Sequence, residues 1–160
     1  MTDFPLPPSG RIAGPLHRYA VRAFYEDTDL SGVVYHANYV KWFERARSDM
    51  LRLLGIDQRG AVEAGEGAYV VAEMHIRWAS PARLEDVVHI TTSAEEVSAA
   101  SAWLIQRAFR QDVLLAEARV RVGFVSPEGR PRRQPAPWRA AFAAFAAAKP
   151  ESTPANTGTP

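Results

Sequence analysis

At 160 residues with 47% apolar side chains, the chain is long enough for one domain with a substantial core. Its formal charge of +1 leaves no bulk electrostatic footprint for nucleic acid or a membrane surface. The absence of cysteine excludes a disulfide framework, thiolate chemistry and cysteine-ligated zinc, and no apolar run reaches the roughly 20 residues of a membrane-spanning helix.

Residues 1–16 carry Pro5, Pro7, Pro8 and Pro15 with little periodicity and read as a flexible extension. They lack the basic start and apolar stretch of a secretory signal, so a cytoplasmic protein is expected. The folded unit is expected over 17–148. Residues 17–25 alternate, with Tyr19, Val21, Ala23 and Tyr25 on one face and Arg18 and Arg22 on the other, which predicts a strand. After a loop the period changes. From 37 to 54, Tyr39, Phe43, Ala46, Met50 and Leu53 fall at helical spacing and Val40, Trp42 and Leu54 widen the stripe. Asn38 is the expected N-cap and Gly55 the stop.

Four more strand patterns follow. In 68–78, Val70, Ala72, Met74, Ile76 and Trp78 oppose Tyr69, Glu73, His75 and Arg77. Residues 86–93 form a short β-branched run, and 102–110 place Trp103, Ile105 and Phe109 on one side. Residues 114–125 alternate most regularly, and Gln111–Asp112 predict a hairpin turn before them. An alanine-rich helix over 137–149 carries Trp138, Phe142 and Phe145 on its apolar side, and a polar tail over 149–160 is expected to be disordered. One long helix among antiparallel strands predicts an α+β fold, a curved sheet wrapped around that helix, with the remaining sheet surface free to meet another subunit.

The chemistry concentrates in the loop before the long helix, where Asp27, Asp29, Gly32 and His36 cluster. A carboxylate beside the positive end of a helix can attack a carbonyl carbon or direct water onto it, and free N–H groups there can bind the developing oxyanion. The loop therefore reads as hydrolytic. His17, His75 and His89 show no metal-ligand spacing, and the chain has no nucleophile elbow, phosphate loop or dinucleotide fingerprint.

Tyr25-Glu26-Asp27-Thr28-Asp29, then Gly32-Val33-Val34-Tyr35-His36-Ala37-Asn38-Tyr39, then Phe43-Glu44-Arg45-Ala46-Arg47 with Met50-Leu51, resembles the hotdog-fold acyl-CoA thioesterases. These belong to the 4-hydroxybenzoyl-CoA thioesterase-like superfamily, and the likeness is nearest to the Tol-Pal-associated (YbgC-type) branch. It covers about 18–148. The resemblance implies a hotdog fold and acyl-CoA hydrolysis, with Asp29 as the catalytic carboxylate. His36 stands where the family's backbone N–H polarises the thioester carbonyl, and its side chain is counted in the site. It also implies dimers that pair into tetramers, acyl-CoA bound near the dimer interface, and an association with the Tol-Pal envelope system. No metal or redox cofactor is implied; coenzyme A is part of the substrate.

Gly32 and Tyr35 are the candidate substrate-binding positions. Gly32 would act through a backbone at positive φ, and Tyr35 as a wall of the acyl pocket or an ordinary core tyrosine. Asp27 reads as a turn former, and Glu44 as either a loop-orienting group or a paired helix charge. Asp29 could form a mixed anhydride or activate a water, and both routes fit the residues. Arg77, Arg83, Arg107, Arg110, Arg130, Arg132 and Arg133 are available for coenzyme A phosphates, none singled out. Two rival readings are a hotdog enoyl-CoA hydratase or dehydratase, which also uses an Asp/His pair, and a non-catalytic module binding acyl carrier protein or lipid enzymes.

Overall fold

Those periodicities become six strands and three helices in the computed structural model, which describes residues 3–151. In chain order they are β1 (Arg11–Ala13), β2 (Leu16–Arg22), α1 (Asn38–Leu53), α2 (Gln58–Glu63), β3 (Ala68–Trp78), β4 (Val87–Val97), β5 (Ser101–Arg110), β6 (Val113–Val125) and α3 (Ala136–Ala147). The strands form one sheet in the order β1-β2-β4-β5-β6-β3, and every neighbouring pair is antiparallel.

Helix α1 lies across one face of this sheet. Its Tyr39, Trp42, Phe43, Ala46 and Met50 are buried with Val88 and Ile90 of β4, Leu104 and Ala108 of β5, and Ala116, Ala118 and Val120 of β6. Small side chains on β5 and β6 leave room for the bulky ones of the helix, which is how a single helix fills the concavity. Helix α3 adds Phe142 and Phe145 to the same core. Gly55 ends α1 as expected: at φ 77° its N–H reaches Arg52 O, and Ile56 N–H reaches Leu51 O, a Schellman closure.

A guanidinium is buried against this core. Arg47 donates to Gln106 Oε1 at 2.8 Å and to Glu44 at 2.6 Å, while Gln106 donates to Thr92 Oγ1 and Phe43 O, both at 3.0 Å. Pairing on both sides is what makes a buried guanidinium tolerable. Glu44 is thereby a partner of Arg47 and Ser48 rather than an anchor of the loop.

The structure departs from the sequence reading at several points. The fold begins before residue 17, because β1 pairs with β2 and Ser9 and Gly10 both donate to Asp49 of α1. Strand β2 ends at Arg22, so Tyr25 sits exposed at the start of a 3₁₀ turn, Tyr25–Asp27. Asn38 is not the N-cap of α1; Ala37 is, without a side-chain cap bond, and Asn38 is the first helical residue. In β3 the register shifts between Val71 and Glu73, which turns Tyr69 toward Phe124 in the core and leaves Val70 and Val71 42% and 47% exposed. Helix α2, capped by Asp57 through Gly60 N–H, had no counterpart in the reading. The expected tail beyond residue 151 lies outside the described residues.

Candidate active site

The loop between β2 and α1 folds back on itself. Thr28 and Val34 form an antiparallel bridge, Asp29 N–H donates to Val33 O at 3.1 Å, and Gly32 N–H to Asp29 O at 3.0 Å. This tight reversal places Gly32 at φ 77°, and a Cβ there would meet nothing within 4 Å. Glycine is therefore required by the backbone conformation and not by crowding. The Asp29 side chain closes the turn as an Asx motif: Oδ1 accepts from Ser31 N–H at 2.8 Å and from the Ser31 hydroxyl. Those two bonds, the hydroxyl first, hold the Asp29 carboxyl below the usual carboxylate range. Asp29 is thus a carboxylate kept ionised, exposed to solvent in the single chain.

The other acid is the one bonded to the start of the helix. Asp27 is only 7% exposed; Oδ1 accepts from Asn38 Nδ2 at 2.7 Å and Oδ2 from Phe24 N–H at 2.8 Å. Its carbonyl accepts from Tyr35 N–H at 2.8 Å. Asp27 therefore clamps both ends of the loop to the first turn of α1, a positioning role that agrees with its reading as a turn former. Asp29 departs from the expectation of a carboxylate packed directly at the helix mouth, since its direct bonds go to Ser31. The cause is the hairpin, which carries residues 29–32 outward while Asp27 stays beneath.

At the mouth of α1 the His36 N–H finds no acceptor among the described residues. A free N–H at this end of a helix adds its own donor to the positive pole of the peptide dipoles. The His36 ring lies between two aromatic side chains. Tyr35 is 4.6 Å away, centroid to centroid, and Trp78 is 5.5 Å away, edge-on at 90°. The Trp78 indole N–H also donates to His36 O at 3.1 Å. Tyr35 is 46% exposed, so it is a surface wall of the site and not a core tyrosine.

The segment after β3 completes the site. Val34 N–H donates to Ala82 O at 2.8 Å, Ala82 N–H to Tyr39 Oη at 3.2 Å, and Val33 pairs with Arg83. Burial raises the Tyr39 hydroxyl pKa, keeping the phenol neutral as an acceptor there. Arg110 holds the far side of the segment through Asp86 and Pro81 O. Between the two segments lies an open recess of about 290 Å³ lined by Val33, Val34, His36, Tyr39, Trp78 and Pro81, among others. A larger concavity, about 900 Å³ on the outer sheet face around Arg18, His89 and Phe109, shares no residue with the loop. Chemistry, not volume, selects the recess.

Of the residues singled out from sequence, Asp29, Gly32, Tyr35 and His36 thus share one loop at the mouth of α1. Trp78 was missed as a site residue. Its side chain reads as one more apolar position of a strand, and the partner that reveals it is 42 residues away.

Residues 25–146 match the Thioesterase-like superfamily. The acyl-CoA thioesterase YbgC of Haemophilus influenzae is 40% identical over 107 residues, which cover 67% of this chain and 79% of that protein. The acyl-CoA thioester hydrolase YbgC of Escherichia coli O6:H1 is 43% identical over 122 residues, covering 75% and 90%. Among solved structures, the probable thioesterase of Bartonella henselae superposes with a TM-score of 0.71 at 34% identity, covering 75% of this chain and 99% of that one. The chain belongs to the Thioesterase-like superfamily, with the hotdog arrangement of an antiparallel sheet around one central helix.

Proposed function

We propose that the protein hydrolyses acyl-CoA thioesters to the free acid and coenzyme A, with Asp29 as nucleophile or general base and His36 N–H as the oxyanion donor. The observation that carries this reading is the pairing, in one loop, of a carboxylate held ionised by Ser31 with an unbonded N–H at the mouth of α1. With the thioester oxygen on that N–H, Asp29 either attacks the carbonyl carbon or takes a proton from a water that does. The first route expels coenzyme A as thiolate and leaves a mixed anhydride that water then cleaves. The leaving thiol has a pKa of roughly 8.5, so expulsion needs little acid assistance. One preorganised donor contributes about 3 kcal/mol to the transition state. Either route balances with water alone and calls for no metal or redox cofactor. Gly32 sets the turn that presents Asp29, and Tyr35 walls the site beside His36.

In the single chain this site is open, and we assign its closure to a second copy. Strand β3 has one unpaired edge and carries the exposed Val70 and Val71, and a long, apolar edge of that kind invites strand pairing. Pairing β3 with β3 of another chain carries the second sheet along toward the Trp78 end, where the recess lies; two such dimers can then form a tetramer. Sedimentation at two or four times the 17.7 kDa chain mass is expected, and a monomer at micromolar concentration contradicts the assignment.

Among the described residues no helix is long and apolar enough to cross a membrane. We place the protein in the cytoplasm and, from its motif, in the service of the Tol-Pal system. Failure to copurify with any component of that system from its host would count against the link. Acyl carrier protein thioesters present the same reacting group and belong among the substrates to be tried.

The functional test is thiol release from saturated short, long and aromatic acyl-CoAs. Free thiol equimolar with free acid is the expected result. Hydration of an enoyl-CoA without thiol release points instead to a hydratase, and no turnover of any substrate to a binding module.

A further inference from the structure

Resting on the thioesterase reading and on the pairing of β3 with its copy, we propose that the phosphates of coenzyme A are held in trans, by Arg130 and Arg133 of the second copy. The arginines of the outer sheet face are satisfied: Arg107, Arg119 and Arg121 each pair with a glutamate within 3.4 Å. Arg130, Arg132 and Arg133 are instead exposed, and none pairs with a carboxylate among the described residues. The turn that carries them is held by its main chain. Ser126 N–H donates to Arg130 O and Gly129 N–H to Ser126 O, both at 2.8 Å, and Arg132 N–H donates to Phe124 O at 2.9 Å. Gly129 closes the turn at φ 81°, and Pro131 bridges to Val125. The Arg132 side chain donates to Glu66 O, which ties the turn to the residues entering β3. Arg130 and Arg133 make no side-chain hydrogen bond among the described residues, so two guanidiniums stand free on an ordered support.

The place of this turn decides which site it can serve. It leaves β6 at Val125, opposite Ala68 at the start of β3, whereas His36 lies by Trp78 at the end of β3. The 11 residues of β3 separate the two by about 33 Å, at roughly 3.3 Å per residue. The pantetheine arm runs about thirteen bonds from sulfur to the first phosphate, roughly 15 Å at the ~3.5 Å per three bonds of an extended chain. A chain's own turn is therefore out of reach of its own thioester. Antiparallel pairing of β3 with its copy reverses this. About a two-fold axis through the middle of the strand, Trp78 comes opposite Ala68 of the second copy, and β6 of that copy is the next strand along. Two strand spacings, about 10 Å, then separate the catalytic loop from the strand end that bears the arginines. The loop's own chain offers little in their place. It carries Glu26, Asp27 and Asp29, and Arg110 is held by Asp86 at 3.0 Å. Arg77 stands opposite Glu117, and Arg83, whose main chain bridges to Val33, shares the field of Asp86. With the acyl group in the recess beside Trp78 and the sulfur turned outward, the pantetheine arm crosses the subunit boundary. Its phosphates then meet two planar guanidiniums, whose paired N–H groups suit phosphate oxygens.

Comparing an acyl-CoA that the wild type accepts with the matching acyl-pantetheine, which has the same thioester and no phosphate, isolates this contact. In the double variant Arg130→Ala/Arg133→Ala, KM for the acyl-CoA is expected to rise by about tenfold or more, the scale of one hydrogen bond to a charged group. Its kcat should hold, and both constants for the acyl-pantetheine should stay at their wild-type values. The trans arrangement is read by co-expressing this double variant with Asp29→Asn under two different tags and purifying through both. One site of each mixed dimer then combines Asp29 of one chain with Arg130 and Arg133 of the other. Turnover at the wild-type KM, which neither parent shows, is the expected result. Turnover only at the raised KM puts the arginines in cis and overturns the proposal. So does an unchanged KM for the acyl-CoA in the folded double variant, or an equal defect on both substrates. In each of these cases thiol release by the wild type leaves the thioesterase reading intact; no release from any acyl-CoA or acyl-pantetheine overturns both together.

Discussion

Asp29→Asn is expected to lower kcat on any accepted acyl-CoA by about a thousandfold, within the 10²–10⁴ range typical of a lost general base. The substitution keeps Oδ1, so the Asx turn with Ser31 survives, but the amide can neither attack a carbonyl nor take a proton from water. KM should change little, because the carboxylate is assigned to the reaction and not to holding the substrate. Stability should stay close to wild type, since Asp29 is an exposed turn residue. The pH profile adds an independent check. The carboxyl is held below its ordinary value of 3.8, chiefly by the Ser31 hydroxyl, so it is ionised, and active, at all higher pH. The acid limb of kcat/KM due to Asp29 should therefore lie below 3.8. Ser31→Ala should move that limb upward by weakening the bonds that favour the charged form.

Asp49→Ala is expected to be the most destabilising single change outside the apolar core. The Asp49 carboxylate accepts four hydrogen bonds: from Ser9 Oγ at 3.1 Å, Arg52 Nη2 at 2.7 Å, Gly10 N–H at 2.8 Å and His17 Nε2 at 2.7 Å. It thereby fastens the N-terminal segment and β2 to the second half of α1. The packing is close enough that a Cβ at Gly10 would fall 2.7 Å from His17 Nε2 and 2.8 Å from Asp49 Oδ2. His17 is fully buried and its Nδ1 has no partner among the described residues, so removing Asp49 strands the ring on both sides. Breaking a buried pair in this way costs about 3 kcal/mol. At 2–4 °C per kcal/mol for a chain of this size, Tm should fall by roughly 6–12 °C.

The same cluster sets a direction for pH dependence. Burial lowers the His17 pKa from 6.5, against the opposing pull of Asp49, so the folded protein favours the neutral ring more than the unfolded chain does. A depressed pKa means that the contribution of this group is complete above 6.5 and is lost progressively as pH falls below it. Burial alone would raise the Asp49 pKa, yet the four bonds outweigh it and leave it below 3.8, which adds a second loss under that value. Thermal melts of the wild type should therefore decline first below pH 6.5 and again below 3.8. In Asp49→Ala the second decline should shrink.

The strands and the long helix were legible because their signals are periodic and local. Alternation over β6 and the apolar stripe of α1 each follow from one buried face, and Gly55 marks its own stop with a positive φ. Strand β1 was illegible for the opposite reason. Three residues carry no periodicity of their own, and what orders them is β2 and a carboxylate nearly forty positions away. The bulge in β3 reversed the expected faces of Tyr69 and Val70 because alternation assumes an uninterrupted ladder. In the site, Asp29-Leu30-Ser31-Gly32 is a local Asx turn that sequence can show. The bond from Asn38 to Asp27 and the indole of Trp78 against His36 depend on tertiary placement, so no spacing rule announced them. Helix α2 is the exception, since Asp57 three residues before Gly60 was a local cap signal left unread.

The geometry at the heart of this account can be seen directly by determining the structure of Asp29→Asn, slow enough to hold its substrate, with butyryl-CoA bound. The thioester oxygen is predicted to lie about 3 Å from His36 N, with the carbonyl carbon facing residue 29 and the acyl group against Trp78. A thioester bound elsewhere, on the outer sheet face for example, or one whose oxygen makes no contact with the start of α1, would contradict it.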